Sequence, residues 1–274
     1  MIKLNNKLKD FLKFIKIEHT LFDLPFGYVG MILANVITLK IFILITISAI
    51  AARIAGMVIN RIEDLPLDKI NPRTKDRELV TGKISLKQAY LIFFGSAVIF
   101  EISSLLLNTL AGLFAPVILL LFYIYPKTKK FVAVSHIFLG FSIGIIVLGG
   151  YIGAKGLFPY FLATYYLMIF VSFWIAGFDI IYQNQDREFD KEMDIKSIPV
   201  ILNGKIIWPT AFFYFLSSIF LIIFSYGSLI RLIISLIIII LLFVRLPYIN
   251  KLNVDNLFKF DIPIPFLLLF SLIV

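Results

Sequence analysis

The chain has 274 residues, of which 60% are hydrophobic and 16% are charged, and its mean hydropathy is +0.97. These values exclude a soluble, disordered or collagen-like chain and indicate a membrane protein. With no cysteine and two histidines, disulfides, thiolate catalysis and Cys-ligated metals are excluded, so any bound metal is predicted to be held by oxygen ligands.

The chain opens with a Lys-rich segment that is predicted to form an amphipathic helix at the membrane surface. A cleaved signal peptide is not expected, because Asp23 and Pro25 follow and no small-residue cleavage site is present. Apolar runs of about 20 residues, the length that crosses a bilayer, then predict an all-α polytopic membrane protein with nine transmembrane helices. The predicted spans are 18–38, 41–61, 88–107, 110–125, 132–153, 158–182, 207–226, 229–246 and 257–274.

The distribution of Lys and Arg predicts the orientation of these helices. When the N-terminus and the ends of the even-numbered spans share one side, that side carries 22 of the 26 basic residues. The other side carries only Lys40, Lys155 and Arg231, and Arg53 lies inside a span. Since basic loops remain cytoplasmic, the N-terminus is predicted to be cytoplasmic. The net charge of +9 is assigned to an anionic leaflet and an anionic substrate, not to nucleic acid.

Eleven of the seventeen acidic residues fall in two short stretches, one after the second span and one after the sixth, on the same membrane face. In the first stretch Asn60, Asp64 and Asp68 repeat every four residues, which places them on one helix face. The second stretch repeats every three or four residues and comprises Asp179, Tyr182, Asp186, Asp190 and Asp194. Two stripes of oxygen ligands predict bound Mg²⁺ with positions left for substrate phosphates.

Basic side chains near these stretches complete the pattern of an anion site. Arg73, Arg77 and Lys75 follow the first stretch, Lys129 and Lys130 end the fourth span, and Lys196 follows the second stretch. Guanidinium and ammonium groups share the charge of phosphates with Mg²⁺. The predicted substrate is therefore a diphosphate whose remainder dissolves in the membrane. Solvated loop charges are the alternative for any one of these residues.

Three segments resemble motifs of the UbiA superfamily of intramembrane prenyltransferases. Residues 60–77, beginning NRIEDLPLD, resemble its first NxxxDxxxD motif, and residues 177–199, beginning GFDIIYQNQDREFD, resemble its second. Residues 125–130 resemble the basic loop between them. The opening residues 16–26, KIEHTLFDLPF, are most similar to the bacterial 4-hydroxybenzoate polyprenyltransferase-like group.

The resemblance implies one integral-membrane domain over residues 1–274, with a pseudo-repeat and with the helices around a central lipid-enclosed cavity. It implies a bacterial inner-membrane enzyme with a cytoplasmic active site. The implied reaction is Mg²⁺-dependent transfer of a polyprenyl group from polyprenyl diphosphate to an aromatic hydroxy acid, 4-hydroxybenzoate, in quinone biosynthesis. The alternative acceptor is 1,4-dihydroxy-6-naphthoate of a menaquinone pathway. A membrane transporter is a distant alternative, since transporter sites lie near the bilayer midplane.

The resemblance also implies roles for individual residues. The predicted Mg²⁺ ligands are Asp64, Asp68, Asp186 and Asp190, and Asp64 and Asp186 are also expected to be catalytic. Asn60 is expected to complete or order the first metal site and to lie in the substrate-binding region. The residues predicted to bind diphosphate oxygens are Arg73, Arg77, Lys129, Lys130 and Lys196.

Deeper in the membrane, Arg53 lies two helical turns before Asn60 on the same face. It is predicted to bind the carboxylate of the acceptor, and the alternative is a structural ion pair with Asp23 or Asp179. Asp179 is predicted to be a catalytic residue that polarises the phenol or positions it, and Tyr182 is predicted to stabilise an allylic cation with its ring.

Four further residues complete the expectations. Pro66 should interrupt the helix before Asp68, because proline removes a backbone hydrogen bond. The two histidines, His19 and His136, are predicted to be packing or interfacial residues. No role is assigned to Asp194.

Overall fold

The computed structural model describes residues 2–128, 134–251 and 253–273, and the regular structure there is helical. An amphipathic helix, α1 (Ile2–Phe14), precedes the long helices. The long helices are α2 (Ile17–Leu33), α3 (Leu39–Glu63), α5 (Leu86–Leu107), α6 (Thr109–Thr128), α7 (Val134–Lys155), α8 (Leu162–Gln183), α11 (Ile207–Phe224), α12 (Leu229–Val244) and α14 (Pro263–Ile273). The short helices are α4 (Leu65–Asp68), α9 (Arg187–Glu192), α10 (Ile198–Ile201) and α13 (Val254–Phe258).

Eight helices of the described residues are long and apolar enough to span a membrane. The predicted class, an all-α membrane protein, is confirmed, and the count of nine differs in detail. The first predicted span is α2, which has 17 residues and falls just short of the usual crossing length. The last predicted span is one of the eight, over Val254–Ile273, although it is divided into α13 and α14 where Pro263 and Pro265 cannot continue the hydrogen bonding of a helix.

Six long helices enclose a central cavity of about 420 Å³. The lining side chains come from α2, α3, α5, α6, α7 and α8, together with Phe258 of α13 and the loops after α4 and α8. Behind this ring, α11 packs against α8 and α14 packs against α2, while α12 packs against α11 and α14. The cavity is therefore central, as expected, but three of the long helices support its wall from outside.

Glycines allow α7 to approach its two neighbours closely. A side chain on Gly150 would place its Cβ 2.0 Å from the carbonyl oxygen of Gly27 on α2, and one on Gly140 would come within 2.1 Å of the Ser172 carbonyl on α8. Small residues let helix backbones touch in membranes, where apolar surface alone gives little attraction between helices. These two contacts fix the position of α7, one face of which lines the cavity.

A buried polar cluster joins four of the helices behind the cavity. The guanidinium of Arg245, at the end of α12, donates to Asp261 and to the hydroxyl of Tyr214 on α11. Asp261 also accepts a hydrogen bond of 2.6 Å from the indole of Trp174 on α8. Arg245 lies at the end of the eighth predicted span, among the basic residues assigned to the cytoplasmic side, but the structure buries it completely. It forms an internal ion pair because Asp261 is brought to it by the turn before α14.

Candidate active site

The first acidic stretch lies where α3 ends and α4 begins. The helix stops at Glu63, and α4 resumes with Pro66 in its first turn, so Pro66 interrupts the helix as expected. The backbone nevertheless keeps a helical hydrogen bond of 2.8 Å from Asp68 N to Asp64 O. Asp64 and Asp68 are therefore one turn apart, both are buried, and both line the cavity.

The second stretch continues from α8 through a 3-10 turn into α9. This tighter turn, Asn184–Asp186, still leaves Asp179, Tyr182, Asp186 and Asp190 on the cavity wall. Asp190 is buried and accepts a hydrogen bond of 3.3 Å from the Gln183 side chain. The repeat ends there, because α9 stops at Glu192 and Asp194 is exposed with a φ of 54°.

Direct contacts join the two stretches, which are more than 100 residues apart in sequence. Arg73 Nε donates to Asp186 Oδ1 at 2.7 Å, and Arg73 Nη2 donates to Oδ2. The Asn71 side-chain amide donates to the same Oδ1 at 2.9 Å, and its oxygen accepts from the backbone N–H of Arg73 at 2.9 Å. The structure thus brings together residues from the segments after the second and sixth predicted spans.

Two arginines hold the carboxylates of this cluster in charged pairs. Arg77 Nη1 donates to both oxygens of Asp68, at 2.7 and 2.6 Å. Partial burial lowers the pKa of Arg73, but its hydrogen bonds with Asp186 outweigh that effect and raise the pKa above its usual value. The guanidinium of Arg73 therefore stays charged. Charges of both signs alternate at the mouth of the cavity.

The donor set fits a magnesium ion of the kind that binds with substrate phosphates. Among the residues that the structure describes, no group of three or more His, Asp or Glu side chains is close enough to form a complete protein metal site. Mg²⁺ is commonly held by only one or two carboxylates together with phosphate oxygens and water. The carboxylates of Asp68 and Asp186 each already hold a cationic group, which shows that both positions accept positive charge.

The deeper part of the site contains two further polar pairs. Arg53 Nε lies 3.0 Å from Asp23 Oδ2, so Arg53 forms the ion pair with Asp23 that the sequence left as an alternative. Asp179 Oδ2 lies 2.7 Å from Nδ1 of His136 on α7. Both pairs are at the cavity wall through Arg53, Asp23 and Asp179. Tyr125 of α6 also lines the cavity.

The ring of Tyr182 lies beside two cationic side chains. Its hydroxyl accepts a hydrogen bond of 2.9 Å from Lys16 Nζ, and Lys16 Nζ is 5.1 Å from the ring centroid. The guanidinium carbon of Arg73 is 5.5 Å from the same centroid. These distances are within the range of cation–π attraction. The face of Tyr182 can therefore stabilise positive charge at the cavity wall.

The remaining predicted site residues differ in their placement. Lys129 and Lys130 are outside the described residues. Lys196 is exposed and is not among the side chains that line the cavity. Asn60, in contrast, lines the cavity one turn before Asp64.

Three side chains of the site make polar contacts that the sequence did not predict: Asn71, Lys16 and His136. Asn71 lies in a loop, where no helical repeat marks it. Lys16 lies in the bend between α1 and α2, at a φ of 48°. His136 is completely buried, as predicted for a packing residue, and it also contacts Asp179, which nothing in the local pattern of α7 indicates. Its nearness to the basic loop in sequence was the only available hint.

Beyond the polar groups, the cavity continues as an apolar arm. Along α3 the lining of the whole cavity, including its mouth, covers the stretch from Asn60 to Ile45, which is about 22 Å at 1.5 Å per residue. Gly149 of α7 forms part of the wall, and a Cβ at this position would meet no atom within 4 Å. The other apolar lining residues of this arm include Phe100, Leu107, Phe114, Ile118, Ile145, Ile152 and Phe158.

A charged mouth above a long apolar arm defines a membrane protein with a site for an amphiphilic anion. Residues 24–268 match the UbiA prenyltransferase family, and the chain belongs to this family.

Similar proteins of known name or structure agree with this assignment. A UbiA homolog from Aeropyrum pernix K1 has a solved apo structure that is 30% identical to the chain, covering 94% of this chain and 98% of that one with a TM-score of 0.84. A 4-hydroxybenzoate octaprenyltransferase from Francisella tularensis subsp. novicida (strain U112) is 32% identical over 181 residues. That alignment covers 66% of this chain and 63% of the relative, which is less than two thirds of its length.

A more distant structure shares the fold. A UbiA homolog from Archaeoglobus fulgidus, solved bound to GPP and Mg²⁺, is 17% identical, and the match covers 97% of this chain and 100% of that one with a TM-score of 0.75. At this identity the likeness establishes the common fold alone.

Proposed function

We propose that the protein transfers a polyprenyl group from polyprenyl diphosphate to an aromatic hydroxy acid, 4-hydroxybenzoate, with Mg²⁺ as cofactor. The observation that carries the proposal is the contact of Asn71 and Arg73 with Asp186, which joins both acidic stretches at the mouth of an apolar cavity. The family, and the name of the Francisella relative, support this reaction. The acceptor 1,4-dihydroxy-6-naphthoate is the alternative.

The charged mouth is suited to hold the diphosphate. Asp64, Asp68, Asp186 and Asp190 would hold Mg²⁺, which when bound supplies Lewis-acid stabilisation of a leaving diphosphate. Arg73 and Arg77 lie beside these carboxylates and would bind the phosphate oxygens bidentately. Lys129, Lys130 and Lys196 are proposed as further phosphate contacts.

The deeper pairs are suited to an acceptor with a phenol and a carboxylate. Arg53 would exchange its pairing with Asp23 for the acceptor carboxylate, and Asp179 would accept a hydrogen bond from the phenol. In the reaction the C–O bond to diphosphate breaks, a C–C bond forms ortho to the hydroxyl, and the ring loses a proton. The apolar wall excludes water from the allylic cation, and the ring of Tyr182 would stabilise it.

The proposed location is the inner membrane of a bacterial cell with the charged mouth facing the cytoplasm. The support is the concentration of Lys and Arg at the ends of the helices that carry the site. Polyprenyl diphosphate would then enter with its charged group at the cytoplasmic surface and its chain within the bilayer.

Product analysis tests the reaction directly. The purified protein is incubated in detergent with polyprenyl diphosphate, Mg²⁺ and both acceptors, 4-hydroxybenzoate and 1,4-dihydroxy-6-naphthoate, in competition. Mass spectrometry then identifies the products. We expect prenylated 4-hydroxybenzoate to dominate. A product formed only from the naphthoate would assign the alternative acceptor. No prenylated product from either acid, whether or not the polyprenyl diphosphate is hydrolysed, would refute aromatic acids as acceptors.

The apolar arm gives a prediction about chain length. Gly149→Phe should lower the ratio of kcat/KM for long polyprenyl diphosphates to kcat/KM for geranyl diphosphate by at least about 10-fold. The phenylalanine ring would occupy space in the cavity that a long polyprenyl chain needs. Gly95→Phe is the matched control, since Gly95 also has no atom within 4 Å of an added Cβ but does not line the cavity. An equal change in both variants would contradict the placement of the chain.

A further inference from the structure

The side chain of His136, near the start of α7, is fully buried against the carboxylate of Asp179 on α8. His136 Nδ1 lies 2.7 Å from Asp179 Oδ2, and the histidine is 0% exposed. This is the length of a short hydrogen bond, and in the tautomer with hydrogen on Nδ1 the ring donates to the carboxylate. The other ring nitrogen, Nε2, is buried without a hydrogen-bond partner among the described residues. The polar interaction of the ring is therefore directed at Asp179.

This contact restricts the orientation of a carboxylate at the cavity wall. The last torsion of an aspartate side chain has a broad and shallow preference, so an unsupported carboxylate rotates easily. The contact of Oδ2 with His136 restricts this rotation, and Asp179 lines the cavity, where its carboxylate can meet a bound group. The glycine contacts of α7 with α8 make the two helices rigid neighbours at this point, which keeps the two side chains in register.

We propose that His136 is a positioning residue for the prenyl transfer: it orients Asp179 so that one carboxylate oxygen meets the acceptor hydroxyl. The proposal rests on the proposed function, in which Asp179 accepts the hydrogen bond of the phenol. Catalytic groups act efficiently only when their orientation is fixed before the reaction. Loss of an orienting partner at metal ligands costs about 10- to 100-fold in activity or affinity, and we expect the same scale here.

Two substitutions separate the hydrogen bond from the volume of the ring. His136→Phe keeps an aromatic ring and removes the donor, and kcat should fall about 10- to 100-fold while KM for polyprenyl diphosphate stays unchanged. His136→Asn retains a donor near the position of Nδ1 and should keep kcat within a few-fold of wild type. A purely structural role would instead lower the thermal stability of both variants and change both kinetic constants.

A double-mutant cycle shows whether His136 acts through Asp179. If it does, His136→Phe in an Asp179→Asn background should cause no further loss of kcat, because the partner is already altered. Ser235→Ala is the control, since it removes a buried hydrogen bond between Ser235 and Ser225 away from the cavity and should leave kcat unchanged. Wild-type kcat in His136→Phe, or additive losses in the double variant, would overturn the proposal.

A spectroscopic test decides the contact independently of any substrate. The chain has two histidines, so ¹⁵N-histidine labelling and a His19→Gln variant assign both rings. We expect a downfield Nδ1 proton on His136 that is lost in Asp179→Asn and unchanged in Ser235→Ala. If the His136 signal is the same in Asp179→Asn as in the wild type, the proposal is overturned even if the enzyme is active. If the wild type is inactive on both acceptors while this signal is present, the proposed function fails and the contact stands.

Discussion

Asp186→Ala is expected to abolish detectable prenyl transfer, with a loss of at least about 100-fold in kcat, the scale of removing one preorganised electrostatic group. Asp186 accepts hydrogen bonds from Arg73 and Asn71 in the structure. Its truncation therefore removes a proposed Mg²⁺ ligand and also the carboxylate that holds Arg73 in place. Asp186→Asn should be almost as inactive, because the amide keeps the shape of the side chain but has no charge for Mg²⁺.

Glu188→Ala supplies the matched control for this prediction. Glu188 lies two residues further along, carries the same charge, and pairs only at the surface with Arg187, with its side chain 71% exposed. Exposed pairs of this kind contribute little, so kcat should stay within about 2-fold of wild type. The measurement is the rate of product formation at saturating Mg²⁺. Equal losses in Asp186→Ala and Glu188→Ala would show that general charge at the membrane surface, and not a defined site, is responsible.

The second large effect is expected on stability. Asp261→Ala should destabilise the protein by about 3–5 kcal/mol, because it leaves the buried guanidinium of Arg245 without its counter-charge. The indole N–H of Trp174 would lose its acceptor in the same variant. The expected result is a clearly lower apparent Tm in detergent, with the cluster behind α8 disrupted.

Two further variants separate charge burial from simple truncation. Asp255→Ala removes an exposed carboxylate on the neighbouring helix α13 and should change stability by no more than about 0.5 kcal/mol. Replacing both charges, in Arg245→Met combined with Asp261→Leu, should recover most of the loss, since a buried ion pair contributes little more than apolar residues of similar size. A double variant that is less stable than Asp261→Ala would show that the hydrogen bonds to Trp174 and Tyr214, and not the paired charges, stabilise this region.

Local patterns in the sequence were sufficient for the membrane class and for the acidic stripes. The apolar runs predict the helices because each span must satisfy its own backbone hydrogen bonds in lipid. The four-residue steps from Asp64 to Asp68 and from Asp186 to Asp190 place both members of each pair on the cavity wall, because helical periodicity fixes direction along one element. The same rule fails at Asp194, where the helix has already ended.

Only the tertiary structure decided which residues meet across helices. The pairing of Arg53 with Asp23, of His136 with Asp179, and the burial of Arg245 against Asp261 all join residues from different helices. The positions of such contacts depend on how far apart the helix axes lie and how each helix is rotated. Those quantities are set by interlocking of small and large side chains along whole interfaces, such as the glycine contacts of α7, and no spacing within a single segment contains them.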